Sequence, residues 1–173
     1  MTIGWSLTAK GMSMDQIVVL TAPASLGHGV EAARRHRAEL RESISALEQA
    51  LAAPAARGPD AWCERVHAAL VELSADLREH VDMTVGPDGL YSGVVANTPR
   101  LSHAVAQLSS DQAQTVRFLE SFLSSLDSPG AGGVPPERVR QLGAVLLGRL
   151  IRLRQRGADL VYEAYATDIG GEN

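Results

Sequence analysis

PDAWCERVHAALVELSADLREHVDMTVGPDG, residues 59–89, has a hydrophobic period that fits a helix and not a strand. Trp62, Val66, Leu70, Leu73, Leu77 and Val81 recur every three or four residues, which sets them on one face. Pro59 suits a first helical position, where its missing N–H is not needed. Gly86-Pro87-Asp88-Gly89 then ends the segment in a turn. The spacing predicts a helix over 59–84. His80 follows Leu77 by three residues and Leu73 by seven, so it falls on the apolar stripe.

Three further segments read the same way. Val30 to Ala52 carries Val30, Ala33, Leu40, Ile44, Leu47 and Leu51 on one stripe, and Pro54 ends it. Leu90 to Ala96 reads as one or two turns. Asn97-Thr98-Pro99 reads as an N-cap and an N1 proline, opening a helix that runs to about Leu126. Its stripe is Leu101, Val105, Leu108, Val116, Leu119, Phe122 and Leu126. After the loop Ser128 to Gly133, a last helix spans Pro136 to about Ala166, lined by Val139, Leu142, Leu146, Leu150, Leu153, Leu160 and Ala164. Four long stripes on short connections predict an all-α fold, an antiparallel up-down four-helix bundle over residues 26–169. Residues 1–25 are expected to form an irregular or extended arm, with Ile17 to Leu20 its one apolar run, and residues 170–173 a disordered C-terminus.

Composition narrows the function classes. The chain has 173 residues, 45% hydrophobic and 21% charged, which suits one globular domain. A net charge of −4 argues against a nucleic-acid or anionic-membrane partner, and 4% aromatic residues leave no base-stacking platform. The early apolar run is too short to span a bilayer. Cys63 is the single cysteine, so neither an internal disulfide nor a cysteine zinc site can form, and a reducing cytoplasm is expected. Lys10 is the only lysine beside fifteen arginines, a bias that fits a GC-rich genome.

Polar residues interrupt the inner stripes. His36 precedes Leu40 by four residues and Ile44 by eight, so it too faces inward. Gln112 lies four after Leu108 and seven before Leu119. Leu153, with Gly157 one turn on, holds the matching place in the last helix. At about 1.5 Å per residue His36, His80, Gln112 and Leu153 agree in height within about two turns, so they can form one layer. An inward histidine also reads simply as a core residue bonded to a neighbour.

Arg35-His36-Arg37-Ala38-Glu39-Leu40-Arg41 and Leu77-Arg78-Glu79-His80 resemble segments of the hemerythrin-like (HHE cation-binding) proteins. The likeness runs on through Gly86 to Leu90, Pro99-Arg100-Leu101, Arg154 to Tyr165 and Asp168-Ile169-Gly170-Gly171, covering roughly residues 30–171. The resemblance implies a four-helix bundle around a non-haem di-iron centre held by histidines and bridging carboxylates. His36 matches a first-helix histidine and His80 the histidine of the second-helix motif. Thr84 stands where the family has a glutamate, and Gln112 and Leu153 stand where it has histidines.

Two neutral imidazoles cannot offset the charge of two iron ions in a dry interior. The expected function is therefore a hemerythrin-like bundle without the di-iron site, binding or transforming a small organic molecule in its centre without a cofactor. If it is an enzyme, His36 and His80 serve as acid/base groups. Thr84, Gln112, Leu153, Gly157 and Tyr162 are the expected ligand-lining residues. Two alternatives stand beside this: a single iron or zinc held by His36, His80 and Glu163 in a redox-responsive protein, and a partner-binding bundle with no site.

Overall fold

The computed structural model describes residues 27–55, 58–87, 89–127 and 134–166, with side chains from Arg35 to Ala164. The expected arm over 1–25 and the tail over 170–173 lie outside the described residues. The chain divides into two compact units, residues 1–35 and 36–173; all packing described below lies in the second.

Among the described residues the structure is all-α. Helix α1 is Gly27–Ala52, α2 is Pro59–Val85, α3 is the short Leu90–Asn97, α4 is Ser102–Asp127 and α5 is Pro136–Ala166. A 3₁₀ turn, Pro99–Leu101, joins α3 to α4. None of the described helices is long and apolar enough to cross a membrane.

The stripes form the core. Leu47, Trp62, Val66, Leu70, Leu73, Leu119, Phe122, Val139 and Leu146 are almost completely buried in one cluster contributed by α1, α2, α4 and α5. Burying a side chain of this size stabilises the fold by about 1.5–3 kcal/mol. A smaller cluster gathers Tyr91, Val94, Leu101, Leu108 and Leu160, with Leu153 packed against it. The short α3 thus adds a second core at one end of α4 and α5.

Polar contacts tie the helices at defined heights. Trp62 Nε1 donates to the Ala50 carbonyl at 2.8 Å. The Ser43 hydroxyl bonds the Asp76 carboxylate. Arg140 on α5 reaches the open end of α1, donating from Nε to Leu51 O at 3.2 Å and from Nη2 to Ala53 O at 3.1 Å. Its guanidinium also lies 4.8 Å from the centre of the Trp62 ring. These carbonyls have no partner within α1, because a helix leaves its last four acceptors unbonded.

One expected helix start is different. Asn97 does not cap α4; it closes α3, its Nδ2 donating back to Gly93 O at 3.0 Å. Pro99 opens the 3₁₀ turn, and regular α-helix resumes only at Ser102. Proline's fixed φ suits either kind of turn, so the sequence could not distinguish them.

Candidate functional site

The end of α2 meets α3 and α4 through polar groups. Thr84, at 8% exposure, donates its hydroxyl to His80 O at 2.8 Å, one turn back on its own helix. Its oxygen then accepts from Gln112 Nε2 on α4 at 3.2 Å. Tyr91 on α3, buried at 6%, places its hydroxyl against both residues. Burial pushes the Tyr91 phenol above its ordinary pKa, and hydrogen bonds from Gln112 and Thr84 partly oppose that shift. Tyr91 therefore stays neutral near pH 7 and keeps a proton to donate.

Gln112 is 3% exposed, and its Oε1 has no hydrogen-bond partner among the described residues. A buried acceptor left unpaired costs about 1–3 kcal/mol. Gly157 on α5 flanks the same group: a Cβ there would lie 3.6 Å from the Tyr91 hydroxyl and 4.0 Å from Leu108 Cδ2. The bare glycine leaves room for about one methyl group beside the phenol.

The expected site residues thus separate into groups. Thr84, Gln112 and Gly157 come together around Tyr91, which the sequence reading missed. Leu153 packs against the neighbouring apolar cluster. Tyr162 does not join them; its side chain is 65% exposed.

The two histidines are half-buried, not core residues. His36 Nδ1 lies 3.0 Å from Glu39 Oε2 and 3.2 Å from Glu79 Oε2. At the edge of the stripe, His36 thus stands between a carboxylate of its own helix and one of α2. His80 is held below the ordinary histidine pKa, chiefly by burial and secondarily by the Arg37 guanidinium, so it is neutral at pH 7.

The resemblance implies a di-iron centre, and the layer does not fit one. Thr84 and Gln112 are bonded to each other, and neither supplies the anionic charge that two ferric or ferrous ions need. The one-metal set of His36, His80 and Glu163 is not assembled either. Glu163 is ion-paired with Arg100 at 2.7 Å on the surface. Instead His36, Glu39 and Glu79 bring three ligand atoms within 4.8 Å of one another.

No family model, curated protein or solved structure matches this chain.

Proposed function

We propose that the chain is a hemerythrin-like, antiparallel up-down four-helix bundle that lacks the di-iron site and binds a small organic molecule at the Thr84–Tyr91–Gln112 layer. Support for the up-down order comes from cross-helix pairs. Ser43 meets Asp76 while Ala50 meets Trp62, and Asp111 meets Arg156 while Phe118 meets Arg149; residue numbers rise on one helix as they fall on its partner. The resemblance in sequence supplies the family.

The observation that carries the binding reading is the unpaired Gln112 Oε1. An N–H or O–H from a bound molecule satisfies it, and the Tyr91 hydroxyl offers a second polar handle. The ligand is small and largely apolar with one or two donors, since Leu108 and Leu160 form the surrounding cluster. His80, neutral and one turn from Thr84 on α2, is the candidate acid/base group, with His36 the second.

The test uses ligand-observed NMR with indole, phenol and benzamide, each an apolar ring with a single kind of donor group, against toluene. Donor-bearing fragments bind and toluene does not, and Gln112→Leu abolishes the difference. Equal signals from all four probes, or from wild type and Gln112→Leu, overturn the reading. If alanine at both His36 and His80 leaves binding and any turnover unchanged, their acid/base role is wrong. Elemental analysis and the visible spectrum of untagged protein are expected to show no stoichiometric iron and no colour.

A second reading rests on the His36–Glu39–Glu79 group. One imidazole and two carboxylates suit a single zinc or ferrous ion, the two negative charges balancing the dication and water filling the remaining positions. Dialysis against zinc followed by elemental analysis decides it: one equivalent that disappears in His36→Ala and Glu79→Gln supports the metal, and no retained zinc removes it.

A further inference from the structure

A groove of about 240 Å³ runs between α4 and α5. Its walls are Asp111 and Thr115 on α4 and Arg149, Arg152, Leu153 and Arg156 on α5. We infer that this groove binds a small phosphomonoester.

The arginines follow helical spacing. Positions 149, 152 and 156 are three and four residues apart, so they share one face of α5. Two are held in place. Arg156 is paired with Asp111 across the groove, and Arg149 lies 4.9 Å from the centre of the Phe118 ring. Arg152 folds back along α5, where a Cβ on Gly148 would be 3.6 Å from its Nη1. Among the described residues no carboxylate is in ion-pair contact with Arg152.

Charge identifies the ligand class. Three guanidinium groups face one carboxylate, leaving an excess of two positive charges along the walls. A phosphomonoester carries about −1.5 to −2 near pH 7, and its oxygens suit the planar forks of arginine. Size points the same way. At about 30 Å³ per water, the groove holds about eight waters' worth of volume, more than a bare phosphate needs and less than a drug-sized ligand takes. The Thr115 hydroxyl, which donates to Asp111 O at 2.8 Å, keeps oxygen lone pairs to accept from a hydroxyl on the ligand's organic part.

Asp111 lines the groove while its neighbour Gln112 is buried, and Leu153 both lines the groove and packs against the Tyr91 cluster. Titration calorimetry on the full chain at low salt tests the inference with glycerol phosphate, inorganic phosphate and succinate. Glycerol phosphate binds at one equivalent, more tightly than inorganic phosphate or succinate, and weakens as salt rises. Arg152→Gln weakens it at least about tenfold, the loss expected for a hydrogen bond to a charged group. Asp111→Asn removes the competing carboxylate and tightens it several-fold, which no folding defect imitates. Arg138→Gln, on the same helix outside the groove, changes nothing. Succinate binding as tightly as glycerol phosphate, Arg152→Gln binding like wild type, or no heat at millimolar ligand each overturns the inference.

Discussion

Gln112 Nε2 donates to Thr84 Oγ1 across 3.2 Å, and that bond joins the middle of α4 to the end of α2. It leaves the other half of the amide unpaired in the interior. Gln112→Leu removes an unsatisfied acceptor while Thr84 keeps its bond to His80 O. The fold is expected to hold to within about 1 kcal/mol, because losing the unsatisfied Oε1 offsets losing the Nε2 bonds while Tyr91 and Thr84 keep each other. Urea denaturation measures this. A loss of more than about 1 kcal/mol, roughly a fifteenth to a fifth of a domain's stability, shows instead that Gln112 is fully satisfied and structural.

His80 makes stability depend on pH. Its folded pKa lies below its unfolded value near 6.5, from burial first and Arg37 second. The unfolded chain therefore binds the proton more readily. The contribution is fully present above pH 6.5 and is lost as pH falls through the folded pKa. Urea midpoints measured from pH 7.5 to 5 should fall, and His80→Gln should flatten part of that slope. An unchanged slope in the variant shows that His80 is solvated.

Arg140 holds the end of α1. It donates to Leu51 O and Ala53 O and covers the Trp62 ring. Arg140→Ala leaves two helix-end carbonyls without these donors and uncovers the indole. A loss of about 2–3 kcal/mol is expected from thermal or urea unfolding, given the size of charge-assisted hydrogen bonds. Arg140→Lys recovers only part of it, because an ammonium lacks the planar fork.

Helix α5 passes close to α1 at Gly143. A Cβ there would overlap Leu51 Cδ1 and lie 2.8 Å from Cδ2. Gly143→Ala should therefore destabilise by about 1–3 kcal/mol through overpacking, despite alanine's better helix propensity. Leu51→Val in the same chain should give back part of that loss. A double-mutant cycle reads the coupling, and simple additivity shows that Leu51 moves aside freely.

The helices were legible because their apolar residues repeat with the helical period over long spans. Trp62 to Val81 specified α2 to within one residue of its observed end, Val85, and Pro136 placed the start of α5. The Thr84–Gln112 pairing was half legible: each interrupts or borders a stripe at similar height. Tyr91 was missed because α3, eight residues long, is too short to display a period. The position of His36 was misjudged for a different reason. A stripe gives a direction around the helix axis but not a depth, and Glu79, 3.2 Å from His36 Nδ1, comes from another helix. The arginines at 149, 152 and 156 were visible as charges, but their groove exists only where Asp111 and Thr115 stand opposite.

Gly157 links stability to binding with opposite signs. It sits in the interior of α5, where glycine is less favourable than alanine by about 0.8–1.0 kcal/mol. A Cβ at this position meets nothing closer than 3.6 Å, so Gly157→Ala fits without strain. The variant should gain roughly that propensity difference, seen as a raised thermal midpoint. The same methyl stands against the Tyr91 hydroxyl and occupies the space beside the layer. Binding of indole or phenol should therefore weaken in the more stable protein. A glycine that served only as a packing accommodation would give the first effect or its reverse, with no change in fragment binding. Gain of stability with loss of binding is the combination that ties Gly157 to the Thr84–Tyr91–Gln112 layer.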